Sequence, residues 1–524
     1  MTSYRSSNWK VAVKAFFHPR VITMLFFGFS AGLPLYLIFS SLSLWLKEAG
    51  VARSAVTFFS WATLMYSFKF IWAPLVDQMP VPILTRLLGR RRGWILTAQI
   101  AIAVSIAWMA MIDPADSHTH LTLMAMACVA LAFSSATQDI CIDAYRIESA
   151  GNELQAMMAS TYIAGYRIGM LVAGAGALFM AEFLGSSKAS YNFSAWQTTY
   201  WIMAGCMVVG MVTTLVIPEP EGNKERLNDK DFKGHIRSFV LFLMAASAFV
   251  VWFYLTSGLS ASLKETLTQW KINGPLAGFL IETLRLACGI CAAVLTARIM
   301  VGLGIADKRM VKVAYVEPVS DFFNRYGLAL AWLLLSLIGL YRISDIVLGV
   351  IANVFYQDLG FTKTQIASVV KTFGLFMTIA GGFLGGILSI RFGVMRILFA
   401  GALLAALTNL LFVVMANTGP SLPMLYLVIS ADNLAGGIAS AAFVAFLSSL
   451  TNVRFTATQY ALFSSLMTLI PKLFAGYSGS MVDNMGYPFF FTLTAVIGIP
   501  VLVLVWLSSK FLYYHDKNQG LEKP

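Results

Sequence analysis

Long apolar runs, separated by short polar or basic stretches, recur from residue 21 to residue 513. A helix that crosses a bilayer needs about 20 mostly apolar residues. Runs of that length predict spans at 21–46, 54–76, 94–112, 120–145, 157–183 and 196–217. Two less regular runs follow at 238–257 and 275–302. The last six fall at 327–355, 364–390, 394–416, 423–449, 456–482 and 487–513. The expected count is fourteen, open to a change of one pair within 238–302. The first run is too long for the apolar core of a signal peptide, and no small-residue cleavage site follows it. It is expected to be retained.

The first six and last six spans share a plan. Trp45-Leu-Lys-Glu-Ala-Gly50-Val51 leads after two residues to Ser54, and Phe355-Tyr-Gln-Asp-Leu-Gly360-Phe361 leads likewise to Thr364. Gly50 and Gly360 suit a helix C-terminus that needs positive φ, and Ser54 and Thr364 suit the next helix start. A second correspondence joins Arg167 and Gly174 to Lys472 and Gly479, in the fifth span of each half. Chance recurrence of glycine turns is the plain alternative; two matches in equivalent spans favour duplication. The expected fold is an all-α polytopic membrane protein with two six-helix halves, 1–217 and 321–524. The segment 218–320 is read as a linker carrying two inserted helices. Two six-helix halves are the plan of a secondary transporter, with the substrate site between them near mid-membrane.

Composition agrees. Only 12% of the 524 residues are charged and 58% are hydrophobic, against about 25% charged in soluble domains. Mean hydropathy is +0.74. A soluble enzyme, a nucleic-acid binder and a disordered scaffold are poor readings, despite a net charge of +12. That charge is topological. With an even number of spans both termini share one side. Taking that side as cytoplasmic gives it 25 of the 37 basic residues, with six on the other face and six inside spans. Basic residues concentrate on the cytoplasmic side of membrane proteins. Cys128, Cys141, Cys206, Cys288 and Cys291 all lie in apolar runs, against a disulfide framework.

The few ionisable groups inside spans are costly, and each is a functional hypothesis by default. They are Lys69, Asp139 and Asp143, Arg167, Arg342 and Asp345, Lys371, Asp432 and Lys472, with Glu282 and Arg285 in the inserted pair. Asp139 and Asp143 share a helix face, as a proton carrier requires. The alternative is that one of them pairs with Arg146 or Arg167 and locks packing. Asp345 is a third proton-coupling candidate, paired with Lys371 or with its neighbour Arg342. Asp432-Asn433 precedes Gly436-Gly437, where close helix approach is possible, so a binding role and a packing role stay open. Lys69, Arg167, Lys371 and Lys472 exceed the core acids left to neutralise them, which suggests an anionic substrate if they face a cavity. Glu282 and Arg285 read as a self-neutralising pair. Pro34 loosens span 1, either to admit substrate or only to curve the helix. Asp77 followed by Gly89-Arg90-Arg91-Arg92 is similar to the loop signature of the major facilitator superfamily, read as positive-inside anchoring or as a charge latch.

No P-loop, G-x-S-x-G or H-E-x-x-H occurs, and no histidine lies within an apolar run, His120 standing at the edge of one. No enzyme activity, cofactor or intramembrane metal site is expected. Trp45, Trp61, Trp72, Trp94, Trp196 and Trp201 read by default as an interfacial belt.

Several stretches together resemble the AmpG family, the muropeptide permeases of Gram-negative inner membranes. They are Gly28-Phe-Ser-Ala-Gly-Leu-Pro-Leu35, Phe68-Lys-Phe-Ile-Trp-Ala-Pro-Leu-Val-Asp77, Gly89-Arg-Arg-Arg-Gly-Trp94, Gln138-Asp-Ile-Cys-Ile-Asp-Ala144 and Gly165-Tyr-Arg-Ile-Gly-Met-Leu171. In the second half, Ser440-Ala-Ala-Phe-Val-Ala-Phe446 and Phe455-Thr-Ala-Thr-Gln-Tyr-Ala-Leu462 match as well. The resemblance implies proton-driven import of N-acetylglucosaminyl-1,6-anhydro-N-acetylmuramyl peptides for cell-wall recycling and β-lactamase induction. It brings Gln138 in beside Asp139 and Asp143. The implied partners are an anionic glycopeptide, protons and membrane lipid, with no nucleic acid and a monomeric chain in the bacterial inner membrane. Familiar members carry their two extra spans at the C-terminus, unlike the pair expected here at 238–302. Two other readings remain: a carrier of another anionic solute, such as a short peptide or an acyl-CoA, and a membrane sensor that transports nothing.

Overall fold

The computed structural model describes residues 15–51, 64–116, 118–187, 190–220, 232–269, 274–305, 308–362, 365–475 and 478–518. Among these the chain is helical, and the extended pairing is one bridge, Ser187 to Ser190. Ser54, Thr364 and Trp61 lie outside the described residues.

In the first half, α1 is Pro19–Tyr36, with proline at its start and His18 accepting the Arg20 N–H at 3.2 Å. Proline is suited there because the first N–H groups of a helix have no partner within it. A π turn, Leu37–Ser41, carries α1 on into Leu42–Glu48. Helix α2, Leu64–Phe68, gives way to a 3-10 turn, Lys69–Ile71, before Pro74, whose missing N–H weakens the helical ladder. Next come α3, Arg90–Ala110, α4, His118–Ser149, and α5, Asn152–Leu171. Helix α5 continues through a second π turn, Val172–Gly176, into Ala177–Phe183. Helix α6, Phe193–Cys206, is extended by Val208–Val216.

Helices α7, Phe232–Leu255, α8, Ser257–Gln269, and α9, Gly274–Gly302, follow. The second half holds α10, Glu317–Leu340, and α11, Ile343–Asp358, then a π-helical stretch, Ile366–Phe373. It continues with α12, Gly374–Phe392, α13, Val394–Thr418, α14, Leu422–Leu450, α15, Thr456–Ala475, and α16, Ser478–Asn518. Helices α10 and α16 each kink at a glycine of positive φ, Gly327 and Gly486. Nine described helical stretches are long and apolar enough to cross a bilayer, or ten with the bent pair at α7 and α8 taken as one. The run at 275–302 contributes only the shorter apolar helix Ala287–Gly302.

Contacts divide the chain into two compact units. One comprises Met1–Ala73, Pro80–Glu225 and Phe322–Pro524, and contains both six-helix halves; the other comprises Pro74–Met79 and Arg226–Asp321. In the second unit α7 packs on α9, where Gly289 lets Phe249 and Trp252 approach. Arg285 donates from Nε to Thr256 Oγ1 at 2.9 Å and lies over the Phe253 ring. The Glu282 side chain, its expected partner, is outside the described ones.

In the larger unit, Gly50 and Gly360 have φ of +78° and +100°, as helix ends of this type demand. Gly89 and Gly393 precede the third helix of their halves with φ of +95° and +89°. Each half has its own apolar core, one including Trp45, Ile106, Leu131 and Tyr200 and the other Phe355, Phe412, Phe443 and Phe491. Trp45 and Trp196 belong to the first core rather than to an interfacial belt. Both are buried, stacked with centroids 5.7 Å apart and ring planes 3° from parallel. Their indole N–H groups reach Tyr191 Oη at 3.2 Å and Glu48 Oε2 at 2.8 Å. An indole can sit inside a core when its one donor is satisfied. Trp201 does remain exposed.

Helices α1 and α5 meet backbone to backbone. Gly28 and Gly32 on one face Gly165 and Gly169 on the other; an added Cβ would lie 2.1 Å from Tyr162 O at Gly28 and 1.9 Å from Leu25 O at Gly165. Lipid tails give helices little hydrophobic reason to associate, so small residues that allow close dispersion contact carry the interaction. Gly437 plays the same part in the second half, where a Cβ would lie 2.4 Å from Thr378 O. Of the pair Gly436-Gly437 after Asp432-Asn433, Gly437 alone makes the close approach, and nothing lies within 4 Å of Gly436. Gly165→Ala should therefore lower stability by about 1–3 kcal/mol, the usual scale of overpacking. Gly205→Ala, where nothing lies within 4 Å, should leave it unchanged or raise it. Thermal unfolding in detergent, followed by monodisperse yield, reads both.

Candidate functional site

Helix α4 carries the densest group of intramembrane charges. Asp139 and Asp143 are one turn apart on its inward side, both half-buried. Tyr162 on α5 donates its hydroxyl to Asp139 Oδ1 at 3.2 Å, and among the described residues Asp139 makes no salt bridge. Asp143 has two cations: Lys69 Nζ at 3.8 Å and Arg146 Nη2 at 3.3 Å. The 3-10 turn before Pro74 is what turns Lys69, a buried residue, toward α4. Trp72 Nε1 donates to Thr137 Oγ1 at 3.0 Å and Tyr66 Oη to Ser135 Oγ at 2.8 Å, fastening the same segment to α4. Of the two locks expected for these acids, the Arg146 pair forms, on Asp143. Arg167 is half-buried on α5 and donates from Nη1 to Met170 Sδ at 4.0 Å, with no salt bridge among the described residues.

Gln138 stands apart from this group. It is fully buried with Nε2 3.5 Å from Ser30 Oγ and Oε1 unpartnered. Adjacent helix residues point about 100° apart, so a neighbour of Asp139 does not share its face. Pro34 is buried too; the helix runs on through it to the π turn at Leu37–Ser41.

The second half has a smaller group. Asp345 Oδ2 is held by Arg342 Nε at 3.2 Å, not by Lys371. Arg342 lies just before the first turn of α11, three residues from the acid, so local geometry wins over a contact between helices. Arg342 Nη1 also donates to Ser440 Oγ on α14 at 2.5 Å. Asp432 accepts from Thr408 Oγ1 at 3.4 Å and makes no salt bridge among the described residues. Asn433 accepts from Thr378 Oγ1 at 2.8 Å and donates to its own helix at Ile429 O. Lys371 lies in the π-helical stretch and is exposed. Lys472, also exposed, donates to Ser67 Oγ at 3.2 Å across the two halves and forms no salt bridge among the described residues. Arg167 and Lys472 thus remain cations without acids, one in each half.

The halves meet near the end that carries Arg90 to Arg92, Arg146 and Arg454, called here the basic end. Ser160 Oγ on α5 donates to Gly382 O on α12 at 2.6 Å, and Phe16 meets Phe383 edge to face at 4.9 Å. At this end the Gly-Arg-Arg-Arg stretch is built around two acids that sequence reasoning passed over. Arg91, fully buried, makes a two-point pair with Glu148, Nη2 to Oε1 at 2.6 Å and Nε to Oε2 at 3.0 Å. Glu219 accepts the Arg91 and Arg92 backbone N–H groups at 2.8 and 3.1 Å, capping α3. Burial pushes the Glu219 carboxyl upward, against the opposing pull of these N–H groups and the Arg91 charge. A Cβ on Gly89 would lie 2.4 Å from the Glu219 side chain, so glycine is required there for space as well as φ. Arg90 is buried, and Asp77, also buried, falls in the smaller unit. The signal for Glu148 was its spacing, one turn and a half beyond Asp143; for Glu219 it was an acid directly after a span.

The sequence model described as Major Facilitator Superfamily matches residues 21–316 and 333–520. A protein of Rickettsia felis named putative transporter AmpG 4 is 30% identical over 498 residues, covering 95% of this chain and 98% of that one. The anhydromuropeptide permease of Escherichia coli K12 is 29% identical over 510 residues, 97% of this chain and 83% of the relative. Among solved structures, the proton:xylose symporter XylE superposes with a TM-score of 0.56 at 12% identity, covering 95% and 96% of the two chains. The transporter FucP in its outward conformation gives 0.53 at 12% identity, covering 94% and 99%. Shared fold, near full-length similarity and the family model agree: this chain is a multi-pass membrane transporter of the major facilitator superfamily and belongs within it to the AmpG permeases.

Proposed function

We propose that the protein imports N-acetylglucosaminyl-1,6-anhydro-N-acetylmuramyl peptides from periplasm to cytoplasm by alternating access, coupled to protons, for cell-wall recycling. The supporting observation is the division of charge. Asp139 and Asp143 lie side by side in the first half, while Arg167 and Lys472 carry no acid of their own in opposite halves. Acids that a proton can neutralise, near cations that an anionic cargo can neutralise, are what coupled movement of the two needs. The name of the Escherichia coli relative supplies the cargo class, whose lactyl and peptide carboxylates match the unpaired cations.

In this reading the basic end is cytoplasmic in the inner membrane, and the seam through Ser160 and Gly382 is the inner gate in its closed position. Arg167, Lys371 and Lys472 receive carboxylates, with Asp432 and Asn433 hydrogen-bonding the sugars. Asp139 and Asp143 exchange the proton, and Asp345 remains a further coupling candidate with Arg342 as its partner. Asp77, Arg90 and Arg91 serve the gate, Arg91 through Glu148.

The direct test is uptake of labelled anhydromuropeptide into proteoliposomes under an imposed pH gradient, with short peptides and acyl-CoA as competitors. Accumulation that neither competitor suppresses is expected; no uptake by folded protein overturns the proposal. Asp139→Asn or Asp143→Asn should abolish gradient-driven accumulation. Substrate exchange without a gradient should survive in the variant whose acid only carries the proton. Separately, Arg167→Gln and Lys472→Met leave no acid orphaned. Each should raise KM about tenfold to a hundredfold, the worth of one charged hydrogen bond, with little change in unfolding temperature.

A further inference from the structure

Arg146 lies one turn beyond Asp143 at the basic end of α4, with its side chain 1% exposed. Its Nη1 donates to Gln155 Oε1 at 2.9 Å and to Ser448 Oγ at 2.8 Å; its Nη2 donates to Asp143 Oδ1 at 3.3 Å. The guanidinium also sits 5.2 Å from the centre of the Tyr460 ring. Asp143 and Gln155 belong to the first half, Ser448 on α14 and Tyr460 on α15 to the second. Gln155 has no freedom to turn away, because its Nε2 is spent on Arg146 O and Ala150 O at 3.1 and 2.8 Å. One buried side chain therefore touches the acid of the candidate site and two helices of the opposite half.

The groups that face Asp143 are Lys69 after α2, Asp139 and Arg146 on its own helix, Tyr162 on α5 and Tyr460 on α15. A buried guanidinium is stable only beside a counter-charge, and removing that partner is strongly destabilising. Ionised, Asp143 is that counter-charge and is shared with Lys69. Neutral, it leaves Lys69 only the more distant Asp139 and leaves Arg146 with no acid beside it. We infer that Arg146 is a positioning residue that ties the charge on Asp143 to the contact between the halves. With Asp143 ionised, Arg146 stays aligned on Ser448 and Tyr460 and the basic end is closed. With Asp143 neutral, Arg146 loses its anchor and the basic end is freed to open. The order suits import: arrival of the proton releases the side toward which cargo must leave.

The inference deepens the reading of Asp143 as a proton-exchanging group, and its test needs neither cargo nor gradient. Spin labels at Glu153→Cys and Val453→Cys, both exposed and in opposite halves at the basic end, report the seam by double electron–electron resonance. The full chain would be held in lipid nanodiscs with its native cysteines replaced. Asp143→Asn and Arg146→Gln should each raise the open population at the basic end about tenfold, and the double variant should add little to either. Ser448→Ala with Tyr460→Leu removes the far-half partners without altering charge and should give the same shift, which keeps the test sharp should Arg146→Gln fold poorly. An unchanged distance distribution in Arg146→Gln or in the Ser448 and Tyr460 pair overturns the inference, as do strictly additive shifts for Asp143 and Arg146. Failure of muropeptide uptake with these shifts intact would remove the cargo assignment and leave the coupling standing.

Discussion

A fully buried guanidinium needs an acid beside it, and the first half is arranged around two such obligations. Arg91 meets Glu148 and Arg146 meets Asp143, both acids on α4. Helix α4 is consequently held on one side by the cap of α3 and on the other by the seam between the halves. The backbone contact of α1 with α5 supplies the rigid piece against which α4 is positioned. Without the glycines that permit this contact, Tyr162 would not stand within reach of Asp139.

The second half repeats the frame but not the charges. Its corresponding turns keep positive-φ glycines at Gly360 and Gly393, and its helices pack through Gly381, Gly385 and Gly437. Backbone geometry constrains every copy of the fold in the same way, whereas side-chain charge is free to diverge. The first half thus holds a carboxylate between two cations, while the second holds Asp345 with a single arginine and Asp432 with a hydroxyl.

Much of this frame was legible in the sequence. Among the described residues, nine or ten of the fourteen expected spans followed from apolar length, the turns at Gly50 and Gly360 from the demand for positive φ, and the shared side of Asp139 and Asp143 from helical spacing. Contacts between distant segments were not legible. Asp345 had two cationic candidates, and only the start of α11 at Ile343 decides for Arg342. Trp45 and Trp196 looked interfacial because they sit near span ends; their burial depends on each finding an acceptor across the half. Arg146 was legible only as a possible local partner of Asp139 or Asp143. Its role depends on Ser448 and Tyr460, some three hundred residues away, and no local pattern encodes that distance.

The two π turns have a consequence for how the outer parts of the bundle face one another. A π turn contains one residue more than the α ladder needs, and one residue corresponds to about 100° of rotation about the axis. Everything beyond Leu37–Ser41 in α1 is thereby turned out of phase with the segment below it, and so is everything beyond Val172–Gly176 in α5. The slips occur at one level, where Ser41 Oγ donates to Ala173 O at 2.6 Å. The glycine stripe that serves the inner crossing ends there, and beyond it Leu42 and Trp45 enter the apolar core of the first half, where Trp45 packs on Trp196 and Tyr200 of α6. A single backbone, α1, thus carries two packing codes, glycine against α5 below the slip and an indole against α6 above it.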